Sequence, residues 1–331
     1  MGTFSLPEQI FSISSGKQFS ETALKVFHVQ YHALPLYKRY CDLLGKTPGT
    51  VHVVSEIPLL PIEAFRDGDV YCGSLPPEIT FRSSGTGGML RSRHPVAEAA
   101  HYRKSALTAF DLFFPGNPVV WAYTPGYNDN PDSSLIWMLK ALVDRDTSGW
   151  SRFLPLGKKI DQSALDTVNK SGRKLVLFGA AFGLLDMAEH FPARLPNDAV
   201  VVETGGMKTY RKEMRRNEMH AIISDAFGVP EGAVQSEYGM CELLSQAYTR
   251  NGIHFETPPW MKLQVVKNDD PFEAEEPGKP GRLAVIDLAN LYSCSFLLTG
   301  DRAVQTDAGV EILGRWNAYD LRGCNFLLEE S

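Results

Sequence analysis

Hydrophobic positions recur with two different periods, and the switch between them organises the chain. From Phe19 to Leu44, Leu24, Phe27, Tyr31 and Leu34 fall three or four residues apart, a stripe that predicts helix. Pro35 breaks or bends that helix, because it has no N–H and its ring crowds the preceding turn. The apolar run Ile57 to Phe65, punctuated by Pro58 and Pro61, reads as an extended segment. Beyond residue 75 the pattern becomes short apolar runs separated by helical stretches. Strands are predicted at Pro118–Tyr123, Lys174–Gly179 and Ala199–Glu203, with helices at Glu98–Phe113, Ser133–Leu142, Leu184–His190 and Tyr210–Phe227. Uninterrupted apolar strands alternating with helices imply an α/β architecture with a largely parallel sheet. Ligands in such sheets bind where strand C-termini meet the loops, which directs attention to Thr124-Pro125-Gly126, Gly179 and Gly205-Gly206. From about residue 255 the runs shorten, at Trp260–Val266, Arg282–Leu288, Ser295–Leu298 and Val310–Leu313, with turn-rich segments between them. This predicts an antiparallel β subdomain.

Composition narrows the function classes. A chain of 331 residues with net charge −6 has ample core and no basic surplus for nucleic acid. Its five cysteines, Cys41, Cys72, Cys241, Cys294 and Cys324, form no C-x-x-C pair, so neither a disulfide framework nor a zinc site is signalled. Reduced thiols fit a cytoplasmic location. No signal peptide and no membrane-spanning run is expected.

The candidate chemistry centres on Phe81-Arg82-Ser83-Ser84-Gly85-Thr86-Gly87-Gly88-Met89-Leu90-Arg91. Glycines allow close backbone approach to a ligand, successive N–H groups can cradle an anion, and Ser and Thr hydroxyls add donors. Arg91 and Arg93 add positive charge. Such a loop suits a polyphosphate, although a Gly/Ser run alone is commonly a surface loop. The spacing is not that of a Walker A loop. Four more stretches follow in order: Thr204-Gly205-Gly206, Tyr238-Gly239-Met240-Cys241-Glu242, Thr299-Gly300-Asp301 and Gly314-Arg315. Taken singly they read as turns, a solvated carboxylate and an exposed guanidinium.

Their order and spacing together resemble the adenylate-forming superfamily of acyl-CoA synthetases, luciferases and related ligases. The loop is similar to the family's [ST]-S-G-T-T-G-x-P-K, with Ser83, Ser84, Gly85, Thr86 and Gly88 matching and Arg91 at the last Lys. Within that superfamily the chain is most similar to the acyl-protein synthetases of bacterial bioluminescence operons. The likeness there extends to Ile57–Ile62, Ser92-Arg93-His94, Ser133-Ser134-Leu135, Glu203–Gly206 and Arg322-Gly323-Cys324.

The resemblance implies a fold: an adenylate-forming N-terminal domain of mainly parallel sheets flanked by helices, plus a small antiparallel β subdomain, with the C-terminal lid domain missing. It divides the chain into a helical N-terminal region (1–75), an α/β nucleotide-binding core (76–254), a β subdomain (255–316) and a hinge with C-terminal tail (317–331). It also implies roles. Ser83 to Gly88 and Arg91 would wrap the phosphates of ATP, and Gly205 and Gly206 would line the adenine pocket. Tyr238 would stack on adenine, Glu242 would bind Mg²⁺, Asp301 would hold the ribose and Arg315 would reach ribose or phosphate. Met240, Tyr123 and Trp137 would line a pocket for an apolar, fatty acid. Cys324 would carry the acyl group.

The implied reaction is ATP-dependent activation of a carboxylic acid as acyl-adenylate, followed by transfer to a protein cysteine. Coenzyme A is the alternative acceptor, and a catalytically impaired nucleotide- or acyl-binding protein is a further alternative. An acyl-transferring or reductase partner protein is compatible with the first. The departures are Gly87 for Thr, Leu90 for Pro, Met89 where many members have Lys, and Cys241 for the Thr before the magnesium-binding Glu.

Overall fold

A computed structural model describes residues 5–83, 91–125, 131–205 and 214–316. Three helices open the chain: α1 (Leu6–Phe11), α2 (Gly16–Ala33) and α3 (Pro35–Leu43). Pro35 begins α3 rather than bending one long helix, since its missing N–H costs nothing in a first turn. The proline-rich run after it is only partly extended. Strand β1 (Leu60–Pro61) is followed at once by the helical turn α4 (Ala64–Asp67), which buries the Phe65 ring edge-on against His94.

Strands β2 (Ile79–Arg82) and β3 (Arg93–Val96) pair antiparallel. Then come α5 (Ala99–Phe113), β4 (Val119–Tyr123), α6 (Ser134–Asp144), β5 (Arg152–Phe153), α7 (Gln162–Ser171), β6 (Leu175–Ala180), α8 (Ala181–His190) and β7 (Val200–Thr204). Helix α9 (Arg216–Phe227) is shorter than expected at its start, Met214 and Arg215 being non-helical, and Gly228 closes it in the left-handed region. Strands β8 (Val234–Tyr238), β9 (Ala247–Thr249), β10 (His254–Glu256), β11 (Met261–Val266), β12 (Pro280–Asp287), β13 (Phe296–Thr306) and β14 (Gly309–Arg315) complete the described chain.

One sheet runs in the order β11-β12-β13-β14-β10-β9-β8-β7-β6-β4-β5, with β1 added parallel to β13. The α/β reading holds for β5, β4, β6, β7 and β8, which are all parallel neighbours. The antiparallel strands after residue 255 are also found, and they continue the same sheet through the antiparallel pair β8–β9. Strands β4 and β6, and β7 up to Val202, are apolar because helices cover both faces. Val120, Ala122, Val176, Phe178, Val200 and Val202 enter the core under α5 and α6. Val119, Trp121, Leu175, Leu177 and Val201 enter the core under α8 and α9.

Strand β13 runs through Thr299-Gly300-Asp301, a segment that reads as a turn in isolation. Here Gly300 sits where nothing would crowd a side chain, and Asp301 stays in register with Arg315 of β14. Among the described residues no helix is long and apolar enough to cross a membrane.

The N-terminal helices are tied to the sheet by Gln30, which is fully buried on α2. Its amide nitrogen donates to the carbonyls of Asn290 (2.8 Å) and Leu291 (3.1 Å), and its oxygen accepts from the Ser295 N–H (3.0 Å). Leucine in its place would fill much of the volume but strand these backbone groups without partners. Gln30→Leu is therefore expected to lower unfolding free energy by about 3 kcal/mol in urea titrations. A loss well under 1 kcal/mol would mean that the backbone groups find partners without it.

Candidate active site

The candidate residues gather where strand ends meet at the change from parallel to antiparallel pairing. Tyr238 is the last residue of β8, which pairs parallel with β7 on one side and antiparallel with β9 on the other. Its hydroxyl donates to Asp301 Oδ2 at 2.7 Å, although the two are 63 residues apart. The edge of the Phe255 ring meets the Tyr238 ring at 6.1 Å, and the Arg216 guanidinium lies over Phe255. Asp301 Oδ1 stands 3.7 Å from Arg315 Nε, and the Asp301 N–H donates to Thr299 Oγ1 (3.1 Å). A carboxylate oxygen has two lone pairs, so Asp301 keeps acceptor capacity beyond these contacts. Arg315 is largely exposed and Asp301 buried. The pair thus puts an exposed cation beside a buried anion.

Glu242 joins the same group. It is buried, it bonds to the Ser92 side chain, and it feels the charges of Arg315 and Asp301. Burial raises its carboxyl above the ordinary range, against the Ser92 bond and the Arg315 charge. Two side chains set the turn that presents it. His94 Nδ1 lies 2.8 Å from the Cys241 carbonyl, and Asn290 Nδ2 donates to the Glu242 carbonyl at 2.7 Å. Since a carbonyl can only accept, the proton of His94 sits on Nδ1, and Nε2 accepts from Ser293 Oγ (3.0 Å). Asp287 fastens the next residues, accepting from the N–H groups of Leu244 (2.8 Å) and Ser245 (2.9 Å) and from the Ser245 hydroxyl (2.6 Å).

The mouth of the candidate phosphate loop is cross-tied. Ser83 N–H donates to the Ser92 carbonyl (3.1 Å), Ser92 N–H to Ser83 Oγ (3.0 Å), and Arg91 Nε to the Ser83 carbonyl (2.5 Å). The β2–β3 pair therefore delivers both ends of the loop beside Glu242. Ser84, Gly85, Thr86, Gly87 and Gly88 lie outside the described residues, as do Gly206 and Cys324. Gly205 is described, at φ +74°, a conformation that favours glycine.

The three expected pocket residues separate. Met240 and Trp137 pack on the α5–α6 side, where Trp137 stacks on Tyr102 at 4.9 Å and meets Phe81 edge-on. Tyr123 belongs to the opposite face of the sheet, because odd-numbered side chains of β4 point toward α8. Its hydroxyl accepts from the Gly157 N–H (3.3 Å), and the structure does not bring it to Met240 or Trp137.

Sequence reasoning named no role for His94, Asn290, Ser92 or Phe255. The Ser92-Arg93-His94 triplet carried a signal, but only contacts across the chain reveal that His94 serves Cys241. Among the described residues no group of three His, Cys, Asp or Glu side chains could hold a metal. A single buried carboxylate fits a magnesium ion that arrives with a nucleotide, since Mg²⁺ commonly takes one or two carboxylates with phosphate oxygens and water.

The sequence matches no protein-family model and no curated protein. Solved structures do match the fold. 2-Hydroxyisobutyryl-CoA ligase in complex with 2-HIB-AMP and CoA, in its thioesterification state, aligns at TM-score 0.65 over 93% of this chain and 70% of that chain, with 14% identity. The chain shares the fold of this ligase over most of its own length. The postadenylation state of the same ligase, in complex with 2-HIB-AMP, aligns at TM-score 0.64 over 95% of this chain and 72% of that chain, again at 14% identity. An open conformation in complex with 2-HIB-AMP and CoA gives TM-score 0.61 over 95% of this chain and 79% of that chain, also at 14% identity. So low an identity speaks for the backbone arrangement, which the expected adenylate-forming N-terminal fold had anticipated.

His94 generates a pH prediction. Full burial lowers its pKa from 6.5 to about 4, so it is neutral in the fold at pH 7. The unfolded chain then binds more protons than the folded one between these values. Its contribution is fully present above about 6.5 and is lost as pH falls toward 4. Relative to His94→Asn, which cannot titrate, the parent is expected to lose about 3 kcal/mol more between pH 7 and pH 4, read from urea unfolding at several pH values. Parallel curves would show that His94 takes up a proton without penalty.

Proposed function

We propose that the protein activates a carboxylic acid with ATP. A carboxylate oxygen attacks the α-phosphate, the new O–P bond forms as the bond to pyrophosphate breaks, and an acyl-adenylate results. The observation that carries this reading is the meeting of Tyr238, Asp301, Arg315, Glu242 and Ser92 beside the end of β8. In it, Tyr238 supplies a ring face for adenine and Asp301 accepts from ribose hydroxyls. Glu242 holds the magnesium ion that arrives with the phosphates, and Arg315 meets developing negative charge on phosphate oxygens. Positioning and charge neutralisation carry such phosphoryl chemistry. Ser83 to Gly88 with Arg91 hold the phosphates, Gly205 and Gly206 line the adenine pocket, and Met240 and Trp137 lie along the acid.

The acyl group then passes to a thiol, displacing AMP. The Arg322-Gly323-Cys324 resemblance supports Cys324 as that thiol. The described cysteines are poor nucleophiles, since burial pushes the Cys41 thiol to about 12 and Cys72 to about 11, and raises Cys241 and Cys294 strongly. Coenzyme A is the second reading, supported by the likeness to a ligase crystallised with CoA.

Labelled pyrophosphate is expected to enter ATP in the presence of Mg²⁺ and a suitable acid. Absence of exchange across short, long and aromatic acids would favour a binding protein without catalysis. Asp301→Ala is expected to weaken ATP binding by about 1.5–3 kcal/mol, the scale of hydrogen bonds to charged groups; unchanged calorimetric affinity would remove the ribose assignment. For the acceptor, ATP and labelled acid are expected to leave a hydroxylamine-sensitive label on the parent and none on Cys324→Ser, which keeps exchange. Equal labelling of both, or acylation of added coenzyme A alone, would end the carrier role.

A further inference from the structure

One guanidinium reaches three strands around the candidate site, although no sequence motif contains it. Arg216 is the first residue of α9. A cation in a first turn opposes the partial positive charge of the helix N-terminus, so local preference does not account for it. Its described contacts reach distant segments. Nη2 donates to the Ile312 carbonyl of β14 (3.0 Å), Nε stands 3.9 Å from Glu203 Oε1 on β7, and the guanidinium lies over the Phe255 ring of β10 at 5.3 Å. The planar fork of arginine can serve a carbonyl, a carboxylate and a ring at once, which the compact ammonium of lysine cannot.

Glu203 is a fixed anchor. It is buried at the strand end that leads into Thr204-Gly205, and its Oε1 accepts from the Ser236 hydroxyl (2.5 Å), with His220 Nε2 3.5 Å away. At the other end of the fork, Ile312 adjoins a β-bulge. Asp301 pairs with Arg315 and Arg302 with Gly314, but Ala303 pairs with Ile312, so the register with β13 skips Leu313. Gly314 takes φ +99°, a conformation that favours glycine. A bulge bends its strand and re-aims the side chains next to it. The side chain next beyond this bulge is that of Arg315. It is 83% exposed, so packing does not place it; the β14 backbone beneath it does.

We propose that Arg216 is a positioning residue for acid activation: by clamping Ile312 to Glu203 and Phe255 it fixes the bulge, and so aims Arg315 at the phosphate oxygens. The inference rests on the acid-activation reading above. In this role Arg216 touches neither nucleotide nor acid and acts through Arg315. Arg315 meets charge that develops in the transition state, so loss of the clamp lowers the rate of the chemical step rather than the affinity for ATP. Asp301 is held separately, by the Tyr238 hydroxyl and through its own N–H by Thr299, so its acceptor capacity toward ribose survives that loss.

The test is pyrophosphate exchange with Arg216→Met, Arg216→Lys, Arg315→Ala and the double variant Arg216→Met with Arg315→Ala. Both Arg216 variants are expected to lower kcat by about ten- to a hundredfold, with the KM for ATP changed by less than about threefold. Lysine keeps a charge near Glu203 but loses the fork and the flat face, so it is not expected to restore kcat. The double variant is expected to match Arg315→Ala within about twofold, because Arg216 then has nothing left to aim. Melting curves are expected to show both Arg216 variants folded at the assay temperature; if neither is, Arg216 is a stability residue and the inference falls. Effects that multiply in the double variant, or a raised KM at unchanged kcat, overturn it as well and leave acid activation standing. No exchange by the parent with any acid overturns the activation reading, and this inference with it.

Discussion

Tyr238 and Asp301 are joined by one hydrogen bond, and the geometry of the candidate site depends on it. Tyr238 ends the last parallel strand, whereas Asp301 lies in the middle of an antiparallel strand several positions away in the sheet. Ligands of α/β sheets bind beyond the carboxyl ends of the parallel strands, and Tyr238 stands at such an end. The bond joins that end to β13. It holds an aromatic ring and a carboxylate in fixed relation without consuming the acceptor capacity of the carboxylate.

Around this bond the buried polar groups divide into two kinds. Gln30, His94 and Asp287 have partners for most of their capacity, and those partners are largely backbone atoms of the segments that carry Glu242 and lead into β13. A satisfied buried group specifies one arrangement, because every alternative leaves it unpaired. These residues therefore fix the site from beneath, and two of them transmit the packing of the N-terminal region to it: Gln30 on α2, and His94 against Phe65 of α4. Asn290 Oδ1, Gln246 Oε1 and the Tyr248 hydroxyl are of the other kind, buried without a partner.

Burial lowers the pKa of His94 and raises those of Glu237, Asp287 and Glu242. All four shifts favour the neutral form. The exposed cation Arg315 offsets this only at Glu242, where attraction for a bound magnesium ion would act in the same sense.

The sequence by itself determined the elements whose signal is local. Helix periodicity, apolar strands buried on both faces, an interruption at Pro35 and the alternation that implies α/β architecture all depend on neighbours within a turn or two. The motif residues Tyr238, Glu242, Asp301 and Arg315 were also legible, because they stand in order along the chain. Only the tertiary structure decided what depends on distant partners. It fused the antiparallel strands into the same sheet and ran β13 through a Gly-Asp pair that looks like a turn, since the β14 ladder outweighs local preference. It sent Tyr123 to the opposite face from Trp137, because alternation along β4 assigns its side chains to two different cores. It also gave His94 its significance, which lies in burial and in partners more than 100 residues away, the Cys241 carbonyl and the Ser293 hydroxyl.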